Sequence, residues 1–208
     1  MKNKIKKRKK KMDKRQGFTL VELLAALVIL GLLMAVAAPN VLGILTRSKS
    51  EAYIEDAKKL VTRAEYVLRS NSSITKPTST ADCVRFSLAY LDNSEFNDPP
   101  NGGAYFAYKS FVHVCKQNHE YTYQVQLLEC EKGQIDGQAC KNNGYKGVKY
   151  TSSTALYGDD AIKDLVVSGS AGGTNFQDFG ASGKRYCADG FNQCSGYSET
   201  AVLEDAND

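Results

Sequence analysis

Histidine is scarce in this 208-residue chain, with two copies, and the patterns that histidine chemistry requires are missing. There is no HExxH or GxSxG run and no glycine-rich loop of the kind that cradles a phosphate. Asp159-Asp160 and Asp136-Gly137 stand alone in turn-like contexts, too sparse for a calcium loop. His113, Cys115 and His119 lie near one another, but no CxxC pair accompanies them, so no metal site is expected. The chain therefore reads as a non-enzyme with no cofactor and no catalytic residue. Cysteine is absent before position 83, tyrosine before position 53, and internal repeats are absent throughout.

Positive charge is also missing from most of the chain, although the formal net charge is +4. Residues 1–17 hold ten Lys or Arg against one acid, Asp13; the remaining 191 residues carry 17 bases and 22 acids. A basic nucleic-acid-binding domain is thereby excluded, because the cationic residues sit in one terminal tail. No nucleic-acid partner is expected.

The longest absence is of charge itself. Leu23 to Thr46 is a run of 24 uncharged, predominantly apolar residues. As a helix it would reach ~36 Å, enough to cross a hydrocarbon core of ~30 Å. A soluble core helix would keep a polar face, and this one has none. The basic tail before it stays in the cytoplasm by the positive-inside rule, and everything after Arg47 is exported.

Two processing signals compete in this region. Ala35-Val36-Ala37 has the small residues of a signal-peptidase site, which would release a chain starting at Ala38. Against it stands Gln16-Gly17-Phe18-Thr19-Leu20-Val21-Glu22, where an acid enters the apolar segment. A carboxylate in a membrane helix is costly, and a disposable signal gains nothing by carrying one.

GFTLVE ahead of a long apolar helix resembles the N-terminus of type IV pilins and of the pseudopilins of type II secretion systems, over residues 9–45 or so. The resemblance implies that a prepilin peptidase cuts between Gly17 and Phe18, removing 1–17 as a leader, and that Phe18 is then N-methylated. Glu22 falls on the family's membrane-embedded glutamate, and Gly31 and Pro39 fall where many pilins carry a glycine and a proline that weaken the helix. It also implies partners: other pilin subunits, an assembly platform and its motor proteins, with the membrane as the site of assembly. The physical logic agrees. Cleavage creates a cationic amine on Phe18, and Glu22 lies about one helical turn away, so a neighbour's amine and this carboxylate can neutralise each other and set axial register.

The helix is expected to continue beyond the membrane. Tyr53, Ala57, Leu60, Val61, Ala64, Val67 and Leu68 form a helical stripe, with Glu55–Lys59 and Glu65–Arg69 as i,i+4 pairs. One helix over 18–70 would be ~80 Å long, with 18–46 forming the membrane or filament core. Pro39 removes a helical hydrogen bond, so a kink is expected there.

Residues 71–208 read as an exported globular head. Residues 71–80 are a polar linker, 81–92 have mixed helical character with Thr80 as a possible cap, and 104–115 and 121–127 are strand candidates joined through 116–120. Residues 148–151 and 165–167 are weaker strand candidates, and the seven glycines between Gly169 and Gly196 make that end loop-rich. The fold class is α+β, an antiparallel sheet laid on the helix, as the pilin resemblance also implies.

Cys83, Cys115, Cys130, Cys140, Cys187 and Cys194 all lie in the exported part, an even count that reads as up to three disulfides with fifteen possible pairings. Cys187–Cys194 and Cys130–Cys140 are each close enough to close a short loop; many pilins close a C-terminal loop in this way. Two other readings share these features: a pseudopilin of a secretion or competence machine, and a membrane-anchored or secreted binding protein in which GFTLVE is incidental.

Overall fold

A computed structural model describes residues 18–91, 96, 99–107, 109–136, 139–170, 175–177, 184–187 and 190–191. Its first element, α1, runs from Leu20 to Ser70 and stays helical through Pro39. The chain divides into two compact units, one ending at Ile44 and one beginning at Leu45. In the first, every described residue is exposed, including large apolar side chains such as Leu23, Leu27, Leu30 and Leu33. Such a helix is long and apolar enough to cross a membrane.

The second half of α1 belongs to the other unit. Tyr53, Ile54, Ala57, Leu60, Ala64 and Leu68 are buried, and Val61 and Val67 are packed against the same core. The expected stripe is present, widened by Ile54. Ala57 and Ala64 are fully buried, their small side chains lying between larger apolar ones and allowing close packing of the helix backbone. Polar residues elsewhere on the circumference pair along the helix: Arg69 with Glu65 at 2.6 Å, Lys58 with Glu55 at 2.6 Å and Lys59 with Asp56 at 2.9 Å. Glu55 thus takes the partner three residues on rather than the expected Lys59, leaving Lys59 to Asp56.

The linker at 71–80 contains neither helix nor strand. The next segment differs from expectation. Instead of a helix over 81–92, the chain forms β1, Val84–Ser87, and then one short helical turn, α2, Leu88–Leu91. Val84 and Phe86 are buried with a strand's period of two, and β1 has hydrogen-bonded neighbours on both sides, which outweighs the local helical propensity of Leu88-Ala89-Tyr90-Leu91.

The remaining strands are β2 (Ala104–Tyr105), β3 (Phe111–Gln117), β4 (Glu120–Cys130), β5 (Ile135–Asp136), β6 (Ala139–Cys140), β7 (Tyr145–Ser152), β8 (Val166–Gly169), β9 (Lys184–Cys187) and β10 (Gly190–Phe191). The main sheet has the order β10-β9-β1-β3-β4-β7-β8, with β2 also pairing β4 and β5–β6 forming a separate small ribbon. All pairings are antiparallel except β1 with β9. A helix, α3 (Ala161–Leu165), takes the first residue of the expected strand over 165–167. The long candidate 104–115 is split between β2 and β3 by a turn in which the Ser110 N–H donates to Phe106 O at 2.8 Å.

The β3–β4 hairpin is tighter than the 116–120 loop suggests. Gln117 pairs with Glu120, so Asn118 and His119 alone make the turn, both at positive φ (48° and 72°). Two left-handed residues match the twist of a two-residue hairpin, and asparagine tolerates that conformation well. Tyr123, Val125 and Leu127 of β4 face the helix and join Val84, Phe86, Val112, Val114 and Val148 in the main core. Leu128 and Cys130 face the other way, into a smaller cluster with Phe106, Cys140, Tyr145 and Phe176. Phe86, Tyr90 and Tyr186 stack around the β1–β9 junction, with ring centroids 5.2–5.9 Å apart.

Pairing of β4 with β7 shifts register between Val125 and Leu127. Gly147 sits in β7 at φ 145°, and a Cβ there would lie 1.9 Å from the Leu127 carbonyl oxygen. Only glycine fits. Gly147→Ala is expected to destabilise the head by roughly 3–5 kcal/mol, through backbone strain and a clash with an atom that cannot move aside. Chemical denaturation of the purified variant checks this, and an unchanged midpoint would contradict it.

Candidate functional site

The site residues singled out from sequence lie at the start of α1. Gly17 falls outside the described residues. Phe18 precedes the helix and is 89% exposed. Thr19 is the residue before the first helical position, and its Oγ1 accepts the Glu22 N–H at 3.2 Å. Glu22 Oε2 in return accepts the Thr19 N–H at 2.9 Å and the Thr19 hydroxyl at 3.0 Å. This is a reciprocal capping box, in which two amides that the helix cannot satisfy are bonded by side chains. Thr19 was not singled out from the sequence, although the T-x-x-E spacing carries the signal. Glu22 Oε1 has no partner among the described residues.

Further along, a Cβ on Gly31 would meet no atom within 4 Å, so this glycine is not required by packing within the chain. Pro39 lies inside the helix, and beside it the Asn40 side-chain amide approaches Val36 O at 3.4 Å. Residues 12–38 match the family model of the prokaryotic N-terminal methylation motif. The chain carries the prepilin-type signature. That signature is found in type IV pilins and pseudopilins. No solved structure matches the chain.

Behind this prepilin-type N-terminus, the head is cross-braced. Cys83 and Cys115 are joined beside the β1–β3 pairing, with Cα atoms 4.3 Å apart, and Cys130 and Cys140 are joined between β4 and β6, with Cα atoms 5.6 Å apart. The Cys187–Cys194 pairing lies outside the described residues. Ligand atoms of Cys83, His113 and Cys115 lie within 4.8 Å of one another, but both sulfurs are committed to the disulfide and offer no thiolate to a metal. His119 is at the β3–β4 hairpin tip.

His113 is held between two groups. The Arg85 Nε–H donates to its Nδ1 at 3.0 Å, which places the ring proton on Nε2, 3.2 Å from Cys115 Sγ. Burial, and secondarily the Arg85 charge, push its pKa down to about 4.

Sequence reasoning missed a second polar cluster, which is buried. Glu129 is fully buried in β4, where it accepts the Asn101 and Gly103 backbone N–H groups at 3.2 Å each and the Tyr53 hydroxyl. Asn101 Nδ2 lies 2.6 Å from Tyr53 Oη and 3.5 Å from Glu129 Oε2, and its Oδ1 accepts from Lys49 Nζ at 2.9 Å. Tyr105 adds a hydroxyl contact to Asp56 of α1 at 2.7 Å. Burial raises the pKa of Glu129 despite these donors. The only hint in the sequence is an acid set among the apolar residues of Leu127-Leu128-Glu129-Cys130.

Outside this core, two exposed tyrosines lie beside cations of α1, Tyr66 on the helix itself and Tyr157 in the short turn 153–157 that follows β7. Lys58 Nζ is 4.8 Å from the Tyr157 ring centre and Arg63 is 5.7 Å from that of Tyr66.

His113 and Glu129 give opposite pH dependences. With its pKa depressed in the fold, His113 leaves the unfolded chain binding more protons between pH about 4 and 6.5, so its contribution to stability is lost as pH falls through that window. Glu129, whose pKa is raised, makes the fold lose stability as pH rises above the ordinary carboxylate range. Comparison with a variant isolates the first effect. His113→Asn, which keeps an acceptor for Arg85, is expected to lose less stability than wild type between pH 6.5 and 4. Parallel curves from thermal melts across that range would contradict this.

Proposed function

We propose that the protein is a type IV pilin-like structural subunit. It is made as a prepilin, cut between Gly17 and Phe18 by a prepilin peptidase, N-methylated at Phe18 and polymerised into a surface filament through its apolar helix. The reading rests on one observation above all: the methylation motif opens a helix whose first half is apolar on every side and covered by no other described residue. Lipid can cover that surface before assembly, and the helices of neighbouring subunits afterwards. The head stays outside the membrane, and the assembly platform and motor act on the embedded helix. Tyr66, Tyr157 and the adjacent cations are suited to contacts between heads.

Glu22 has two tasks in this scheme. Within one subunit Oε2 completes the capping box with Thr19, and Oε1 receives the Phe18 amine of a docked neighbour. The cap fixes the rotamer, so the carboxylate is already aimed when the neighbour arrives.

A pseudopilin of a type II secretion or competence machine would use the same N-terminus. Abundant sheared surface filaments separate the pilin reading from it. A released chain starting at Ala38 would instead indicate a secreted binding protein. N-terminal sequencing of the exported protein is expected to begin at methylated Phe18, and Gly17→Trp to leave a membrane-held precursor with its leader attached. Normal-sized mature protein from Gly17→Trp would overturn the cleavage site.

The two tasks of Glu22 can be separated by substitution. Glu22→Gln keeps the capping geometry but removes the charge, and Glu22→Ala removes both. Both variants are expected to be cleaved and held in the membrane at wild-type levels while yielding few or no filaments. Wild-type filament yield from Glu22→Gln, measured by shearing and microscopy, would show that the charge does not set register.

A further inference from the structure

The cluster around buried Glu129 places an exposed amine, a half-buried carboxamide and a buried acid in sequence. Lys49 Nζ is 2.9 Å from Asn101 Oδ1, which puts it within about 4.1 Å of the amide carbon, given a C=O bond of about 1.23 Å. The nitrogen side of the same amide faces Tyr53 Oη at 2.6 Å and Glu129 Oε2 at 3.5 Å. The amide is not free to turn away. Its backbone N–H is held by Glu129, the Gly102 N–H closes the turn on Pro99 O at 2.8 Å, and Gly103 is packed so closely that a Cβ would fall 1.6 Å from Cys130 O.

We infer that Lys49 and Asn101 form an intramolecular isopeptide bond, with Glu129 as the proton shuttle. Lys49 gives a proton to solvent on its exposed side, its freed lone pair adds to Asn101 Cγ, and the carbonyl electrons move onto Oδ1. Glu129, in its protonated form, passes a proton to Nδ2 directly or through the Tyr53 hydroxyl. The tetrahedral centre collapses, the Cγ–Nδ2 bond breaks, and ammonia leaves to solvent on the exposed side of Lys49. The attacking nitrogen returns its surplus proton to the Glu129 carboxylate. One C–N bond is exchanged for another, no oxidant or cofactor is consumed, and the acid ends as it began. Burial of Glu129, which favours its protonated form, supports this role. The step occurs once per chain, so the protein is its own substrate and not an enzyme.

The bond would tie the head half of α1 to the turn before β2, a connection that the two described disulfides do not make. Its existence does not depend on whether the chain polymerises.

The test is mass spectrometry of the full chain extracted in detergent. After reduction, wild type is expected to be one ammonia lighter than its processed sequence, and its digest to contain a branched peptide joining Lys49 to Asn101. Lys49→Arg and Asn101→Ala should show linear peptides alone. Glu129→Gln, nearly the same shape, should leave both peptides unjoined with the circular dichroism of a folded head. Stoichiometric linear Lys49 and Asn101 peptides from folded wild-type protein would overturn the proposal, whatever the variants do. A branched peptide persisting in Glu129→Gln would overturn the part assigned to Glu129.

Discussion

Burial of the stripe from Tyr53 to Leu68 against one face of the sheet is the contact on which the architecture depends. It engages only the second half of α1, because only there do apolar residues keep to one side while charged residues occupy the other. The sheet provides the complementary surface through Val84, Phe86, Val112, Val114, Val125 and Leu127. At ~25 cal/mol per Å² of apolar area, a seam of this kind dominates over the exposed ion pairs on the outer circumference, each worth a few tenths of a kcal/mol. The first half of α1 has no such partner among the described residues. One continuous element therefore carries two kinds of surface, and its change of character near Leu45 coincides with the division between the two compact units.

Polar groups reinforce the same seam from within. Tyr53, Asn101 and Glu129 come from the helix, a turn and a strand, and each satisfies hydrogen-bonding atoms of the others, with Tyr53 and Glu129 buried and Asn101 half-buried. A buried carboxyl of this kind adds little net stability, but it penalises any alternative placement of the helix on the sheet, since a slip would leave several donors unpaired. The apolar stripe thus supplies the attraction, and the polar cluster selects one position along it.

How much of this could be read in advance depended on how far apart the interacting residues lie in the chain. The N-terminal motif and the membrane-length helix are contiguous, and the stripe repeats over four turns, so both were legible. Strands β3, β4 and β7 were legible at their centres, where aromatic and β-branched residues alternate. β1 was not, because four residues carry too short a pattern to show a period, and its neighbours β3 and β9 lie far along the chain. The partners of Glu129 come from three separate elements and leave no spacing to detect. Thr19 was legible in principle, but the acid three residues on, set against an apolar run, drew the reading toward charge rather than capping.

The place of β9 in the sheet bears on the order in which the chain can become a protein. β1 is made early, yet one of its two edges is covered only by residues 184–187, arriving from the far side of the sequence in the parallel sense. Until those residues have emerged, β1 presents a bare row of amides and carbonyls, and Phe86 lacks the ring of Tyr186 stacked against it. Anything that binds open strand edges can compete for β1 during that interval, including another unfinished copy. The head is therefore most vulnerable while the chain is still being completed, and a chaperone that pairs with strands would find its target in β1 rather than in the long, locally closed β3–β4 hairpin.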